Sequence, residues 1–381
     1  MTVRVNKSAF NIREKLSELE RPIGVKGNEL MRAETLQDAR DLVSVGRKNL
    51  FINGDLRIWQ RGTTVTAVGY NADRFMGYTT NTNTANYGLK VTQQQDSPIG
   101  LKGYCAEIAL SNASGGGIDK VTFGQRIEAI NFYGINSGDQ LTFSFYIKRI
   151  QSADSDLTIY VKSAQNGINS YTNSTVNQNS YDITVKSESL GTFNSIPTVW
   201  TKYSLTFTVT DALITNGGSI YIQNGNSNLN VTNTNALYRT TGWQLEVGKN
   251  ATEFEHRSIG EELALCQRYF RRLTPVSNSA GGGWSDNYYR YGFGVANATN
   301  NVHVQVVHPV TMRTNAIFTF SAAADFNLWN GTFYGITNIS NGSYGTGSAV
   351  LSISATVPNK EPLELIANNR QTGYLDFNAE L

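Results

Sequence analysis

Residues 141–149 read LTFSFYIKR. Leu141, Phe143, Phe145 and Ile147 alternate with Thr142, Ser144, Tyr146 and Lys148. A period of two places the apolar set on one side of a β-strand and the polar set on the other. One buried and one solvated face belongs to an antiparallel sheet. The same pattern recurs in WTKYSLTFTVT (200–210), where Tyr203, Leu205, Phe207 and Val209 alternate with Lys202, Ser204, Thr206 and Thr208. DLTIYVKS (156–163), GSIYIQNG (218–225) and TGWQLEVG (241–248) repeat it. Many such strands, joined by Gly/Asn turns, predict a mainly β protein whose body, from 49 to 257, is an antiparallel β-sandwich of the jelly-roll kind. The Asn/Ser-rich stretch 163–198 is weakly patterned and reads as a long loop or hairpin excursion.

Composition agrees with that reading. Only 16% of the 381 residues are charged, against about 25% in ordinary globular domains. Asn, Ser, Thr, Gly and Tyr take their place, suiting strands and tight turns. A net charge of +2 argues against nucleic-acid binding, which needs clustered cations. No window approaches 18 apolar residues, so no membrane insertion is expected. The opening MTVRVNKSAFNIREKL has no apolar centre and does not read as a secretory signal. Cys105 and Cys266 lie far apart, so both are expected to be reduced and buried.

The first 49 residues are built differently. They hold 17 of the chain's 62 charged residues. Asn11 with Glu14 resembles a capping box, and Ile12, Leu16 and Leu19 make an i, i+4, i+7 stripe before Pro22. A second helix is predicted from about Thr35, with Leu36, Ala39, Leu42 and Val43 on one face and Gly46 closing it. Helices this short are marginal alone. Residues 1–48 therefore read as a helical attachment segment whose stripe docks on another copy or another protein. The alternative is packing on the β body of the same chain.

NLFINGDLRIWQRG (49–62) is predicted as the first strand of the sandwich. Leu50, Ile52, Leu56 and Ile58 alternate with Phe51, Asn53, Asp55, Arg57 and Trp59, and Gly54 allows a bulge or close backbone contact. Downstream, SIGEELALCQRYFRRL predicts a linker helix over 258–273. Ser258 and Glu261 form its capping box, Leu263, Cys266, Phe270 and Leu273 share a face, and Arg271 and Arg272 sit at its C-terminal end. Alternation returns in NVHVQVVHPVTM, AIFTF, VLSISATV and YLDFNAEL, so 274–381 is predicted as a smaller β domain.

Several of these stretches together resemble one family. KNLFINGDLRIWQRG followed by NADRF is similar to the opening of the β domain in many bacteriophage tail-fibre and tail-associated proteins. GWQLEVGKNATEFEHRSIGEELALCQRYF resembles their closing strand and linker helix, and LDFNAEL their ending. RAETLQDARDLVSVG is similar to the Thr-x-x-x-Ala-Arg-x-Leu helix near the start of many fibre proteins, and the N-terminal segment resembles that of short-tailed marine phages. The resemblance implies a virion component, usually a homotrimer, that attaches to tail or head proteins through residues 1–48 and meets a host-surface glycan at its β end. The jelly-roll part also resembles carbohydrate-binding modules. Such modules often hold a structural calcium, for which Asp55 and Glu246 are the nearest acids; no metal or other cofactor is expected.

The family carries no universal catalytic motif, and none is present. His256, His303 and His308 lack metal-site spacing, and there is no nucleophile elbow or phosphate loop. Glycan cleavage needs two carboxylates at fixed separation, and no pattern selects a pair from Asp55, Asp73, Glu107 and Glu128. The expectation is a protein that is not an enzyme. A decoration protein without a receptor role and a polysaccharide-cleaving tail enzyme are the alternatives. The leading recognition candidate is GGGWSDNYYRYGFG (281–294), where Trp284, Asp286, Tyr288, Tyr289 and Tyr291 combine stacking rings with hydrogen-bonding groups. Against it stands a hairpin whose aromatics pack inside the domain or on a trimer neighbour. The loop 163–180 is a second candidate.

Overall fold

The computed structural model describes residues 48–66, 68–80, 88–98, 100–101, 103–111, 120–152, 156–165, 167–169, 183–224, 236–274, 290–368 and 373–381. The docking residues Ile12, Leu16, Leu19, Leu36, Leu42 and Val43 lie outside them.

Among the described residues twelve strands precede residue 250: β1 (Thr64–Val65), β2 (Gly69–Tyr70), β3 (Phe75–Thr80), β4 (Gly88–Gln94), β5 (Cys105–Ser111), β6 (Lys120–Ile127), β7 (Gln140–Arg149), β8 (Asp156–Ser163), β9 (Ile183–Thr192), β10 (Thr201–Thr208), β11 (Gly218–Asn224) and β12 (Ala236–Val247). They form two six-stranded antiparallel sheets, β1-β4-β5-β12-β7-β10 and β2-β3-β6-β11-β8-β9. The inward residues of both sheets meet in one core, as in a β-sandwich. Trp243 is its centre. The rings of Phe51, Phe75, Phe123, Phe143 and Phe145 surround it at centroid distances of 5.1–5.9 Å. The apolar set of 141–149 is fully buried as expected, Leu141, Phe143, Phe145 and Ile147 alike, but the polar side is not fully solvated, since Thr142 and Ser144 are buried too. The excursion after β8 returns as β9, which pairs with β8. A short helix α1 (Asp211–Asn216) caps one end, with Thr210 as its N-cap.

The opening stretch is not the expected strand. Asn53 and Leu56 adopt left-handed backbone, at φ 60° and 55°. Asn tolerates that region because its short side chain bonds locally. Here the Asn53 amide donates to the Ile58 carbonyl (2.8 Å) and accepts from the Ile58 N–H (2.9 Å). The segment still lies along β12: Leu50 N–H donates to Leu245 O and Trp243 N–H to Gly54 O, both at 2.8 Å. Gly54 meets its expected close contact, since a Cβ there would overlap the Trp243 carbonyl oxygen. The apolar residues divide between two cores. Leu50, Phe51 and Leu56 join the sandwich, while Ile52 and Ile58 pack with Cys266 and Tyr269. Its polar residues are not a solvated strand face either, because Asn53 and Asp55 are buried.

The predicted helix over 258–273 is also shorter than expected. Helix α2 (Ile259–Gln267) starts at Ser258, whose Oγ accepts from the Glu261 N–H at 3.2 Å. It stops before β13 (Phe270–Leu273), which pairs with β22 (Leu375–Asn378). Arg271 and Arg272 therefore do not complement a helix terminus. Arg272 makes a two-pronged pair with Asp376 at 2.7 and 2.6 Å, and Arg271 donates to Val307 O at 2.6 Å. The apolar spacing of Phe270 and Leu273 suits a helix, but pairing with β22 satisfies the backbone and outweighs it.

The remaining strands are β14 (Arg290–Ala298), β15 (Asn301–Val307), β16 (Ile317–Phe320), β17 (Phe326–Trp329), β18 (Phe333–Gly335), β19 (Asn338–Tyr344), β20 (Ser348–Ser354) and β21 (Pro362–Ala367). They build a seven-stranded sheet, β18-β17-β21-β14-β15-β20-β19, and a small sheet β13-β22-β16 around a second core. The fold is thus mainly β, a sandwich followed by a smaller C-terminal β unit.

Candidate functional site

Most of the aromatic stretch nominated from sequence, with Trp284, Asp286, Tyr288 and Tyr289, lies outside the described residues, as does most of the loop 163–180. Tyr291 is described, and it corrects the expectation. It is a core residue, 5% exposed, with Phe326 edge-on at 5.2 Å and its hydroxyl donating to Gly373 O at 3.0 Å. Its ring offers no surface to a sugar.

The two outward faces of the sandwich remain. On the first sheet, Thr92, Glu107, Arg239 and Lys148 are cross-strand neighbours in one row. Asp96, just past β4, closes over them. Arg239 donates to Glu107 at 2.7 Å and also to Asp96. Lys148 donates to Asp96, and the Trp200 indole N–H reaches it at 3.2 Å. Lys148 Nζ also stands 5.0 Å from the Trp200 ring centre. Partial burial opposes ionisation of Asp96, but hydrogen bonds from Lys148, Trp200 and Arg239 together outweigh it and hold the carboxyl below its usual range. Each charge here already has an opposite partner.

The second sheet differs. Its central outward row runs Met76, Gly124, Tyr221, Tyr160. The flanking rows are Tyr78, Thr122, Gln223, Thr158 and Arg126, Ser219, Lys162. A Cβ at Gly124 would overlap Ile220 O and the Cα and Cβ of Tyr221, so β6 and β11 approach more closely than any side chain there allows. A small hollow lies on this sheet, lined by Met76, Thr122, Gly124, Gln125, Arg126, Ser219, Ile220 and Tyr221. It has room for about one water-sized group. Beside it Tyr221 and Tyr160 stack at 5.3 Å and 27°. Gln223 donates to Thr122 Oγ1 at 3.1 Å. Met76, Thr122, Arg126, Lys162, Ser219, Tyr221 and Gln223 are only 3–8% exposed, so the face offers a ligand little area beyond the half-buried Tyr160 ring beside the hollow.

The signal for this face was in the sequence. Tyr160 and Tyr221 occupy polar-face positions of two strands predicted from alternation, and Gly124 interrupts VTFGQRI. Their adjacency was not readable, because β6, β8 and β11 come from distant parts of the chain.

The other nominated groups are structural. Asp55 is bound to Arg57, and Glu128 accepts from Tyr269 Oη at 2.7 Å and from Arg268 at 3.2 Å. Glu246 accepts from Gln244 (2.8 Å) and the Thr252 N–H (2.9 Å). Asp55 and Glu246 thus do not supply the six to eight oxygens calcium wants. No group of three or more His, Cys, Asp or Glu among the described residues is placed to hold a metal ion. His303 is on the exposed side of β15, as its alternation predicts. Burial, with Arg271 beside it, pushes His308 down to about 4. Both cysteines are free thiols and buried; burial pushes Cys105 up to about 12 and Cys266 well above its ordinary value. No helix among the described residues is long and apolar enough to cross a membrane.

Fold and faces define a class: an antiparallel β-sandwich with one aromatic, notched outer face, carrying a second β unit. No family model matches the sequence, and no curated protein is similar to it. Among solved structures the chain is similar to the enzymatically active domain of tailspike protein 4 of bacteriophage CBA120. The TM-score is 0.30 and identity 14%, over 52% of this chain and 21% of that one. It is also similar to the CBM22-1 xylan-binding domain of Xyn10C from Paenibacillus barcinonensis (TM-score 0.24, 14% identity, 49% of this chain, 100% of that one). A third likeness is to CBM27-1 of Caldicellulosiruptor saccharolyticus in complex with mannohexaose (TM-score 0.28, 13% identity, 50% and 92%). The chain thus spans about a fifth of the tailspike chain's length. None of these likenesses bears on what this chain binds.

Proposed function

We propose that this chain is a virion protein of a tailed bacteriophage, a homotrimeric tail fibre or receptor-binding protein that contacts a host-surface glycan through its β domains. The observation that supports a glycan contact on the sandwich is the half-buried Tyr160 ring, stacked on Tyr221 beside the small hollow of the second sheet. Attachment to tail or head proteins belongs to residues 1–48, through Ile12, Leu16, Leu19, Leu36, Leu42 and Val43. The sequence resemblance supports the virion role, and the weakly charged, Asn/Ser-rich surface suits a protein displayed to solvent.

Two experiments test this. The full chain is applied to an array of bacterial surface glycans beside Tyr160→Ala and the double variant Trp284→Ala, Tyr289→Ala. Loss of retention in the first places the site on the sandwich. Loss only in the second moves it to the aromatic stretch. Retention of no glycan by the parent chain sinks the receptor reading. Separately, particles are assembled with the chain lacking residues 1–48; incorporation at the parent level would show that docking lies elsewhere.

A further inference from the structure

The sandwich and the C-terminal β unit meet across a joint from which water is excluded. The sandwich supplies the segment 57–74, which runs from the opening stretch to β3. The other side supplies α2, β13 and residues 379–381. Asp73 sits between them, 1% exposed. Its Oδ1 accepts from the Gln60 N–H at 3.0 Å, and the Gln60 side-chain amide donates both to Asp73 and to the Phe270 carbonyl on β13, the latter at 2.8 Å. Gln60 therefore ties Asp73 to the C-terminal unit. Arg272 strengthens the same seam by donating to the Arg61 carbonyl at 3.0 Å.

The charges around Asp73 are unequal in their contacts. Arg74 is bound to Glu380, lies 3.6 Å over the Tyr269 ring and donates to Arg126 O at 2.7 Å. Arg61 lies 3.5 Å over the Phe270 ring and 3.3 Å from Glu380, but 3.7 Å from Asp73, and its Nη1 makes no hydrogen bond. Glu380 thus takes the close contacts of both arginines, and Asp73 has only the long one. The groups facing Asp73 are Arg61 and Arg74 from its own segment, Cys266 from α2, Arg272 from β13 and Glu380 beyond β22. A buried carboxylate with so distant a cation is costly to ionise.

We propose that this joint is a proton-operated latch, which clamps the C-terminal β unit to the sandwich when Asp73 is protonated and loosens when Asp73 ionises. Burial pushes the Asp73 carboxyl up from 3.8 to about 7, against the pull of Arg61 and of the two Gln60 hydrogen bonds. The closed joint therefore holds a proton that the opened joint releases. The contribution of protonated Asp73 is complete below about pH 4 and declines as pH rises, until it is lost above about pH 7.

Hydrogen exchange of the full chain between pH 5 and 8.5, corrected for the intrinsic chemical rate, tests the latch. Peptides covering 57–75 and 268–274 report the joint, and a peptide covering β11 reports the sandwich. The joint's opening constant is expected to rise by up to tenfold per pH unit to about pH 7 and then level off, with β11 unchanged. Asp73→Asn, which keeps a neutral side chain of the same shape, is expected to abolish the slope. A flat profile in the parent chain overturns the proposal, and so does an unchanged slope in the variant. Carbon-13 titration of the Asp73 carboxyl in the parent chain stands independent of how the variant folds. A midpoint near 7 supports the latch, and a midpoint near 4 sinks it.

Discussion

On the outside of the first sheet Asp96, Glu107, Lys148 and Arg239 are bound to one another. On the outside of the second, the rows beside Gly124 carry Tyr160, Tyr221, Thr122, Gln223 and Ser219 around a hollow. Both faces rest on the same core. They differ in what a ligand would displace. On the first it must break charge pairs that satisfy each other. On the second it meets the Tyr160 ring beside a small hollow, with Arg126 and Lys162 in the flanking row. The lesson is that aromatic and polar composition alone does not make a binding face. The first face also has an aromatic, Trp200, but that ring is committed to Asp96 and Lys148.

The comparison can be broken at several levels. Trp243→Ala removes the ring that five phenylalanines share, and is expected to cost about 3–5 kcal/mol. Both faces should fail together in denaturant unfolding; a loss below about 1 kcal/mol would mean that they do not depend on one core. Gly124→Ala forces a Cβ into the β11 backbone and is expected to cost about 1–3 kcal/mol. Its glycan retention should fall with its stability, and a variant of parent stability would contradict the close approach of β6 and β11.

Tyr160→Ala is the sharpest discriminator. It should weaken glycan retention about tenfold, which corresponds to about 1.4 kcal/mol, with a smaller loss of melting temperature than Tyr221→Ala, whose ring is 5% exposed. Arg239→Met on the opposite face should leave retention unchanged; the reverse pair of results would exchange the roles of the two faces. Asp96→Asn should have the smallest effect. Asp96 is 27% exposed and its partners Lys148 and Arg239 are 17% and 23% exposed, so about 1 kcal/mol or less is expected, shrinking with added salt. Because the Asp96 carboxyl is held below its ordinary range, its contribution is present above about pH 4 and is lost as pH falls further. Acid unfolding of the parent and the variant should therefore converge at low pH.

Much of the fold was legible. The alternation in 141–149, 156–163, 200–210, 218–225 and 241–248 identified β7, β8, β10, β11 and β12, because one strand face is apolar and the other polar, although in β11 and most of β12 both faces are buried. It failed in 49–62 for a definite reason. There both sets of residues are buried, Leu50, Phe51 and Leu56 in the sandwich and Ile52 and Ile58 against α2. An alternating pattern records two environments, and here the second is another core and not water. The end of α2 was misjudged because helical spacing in 258–273 competes with a distant partner, β22, which no local pattern reveals. Among the candidate site residues, Tyr291 carried the right chemistry in the wrong place, since Phe326 and Gly373 enclose it.

The amino-acid sequence by itself determined the class of this protein. Low charge, β-forming residues and period-two alternation require antiparallel sheets with one apolar and one polar face each, whatever their order. Only the tertiary structure decided how much of each polar face is left to receive a ligand. Gly124, Tyr221 and Tyr160 become neighbours through pairing of β6, β11 and β8, while Asp96 and Arg239 meet only when β4 and β12 flank β5. Non-local pairing sets those distances, and a notch or a closed ion lattice exists only once they are set.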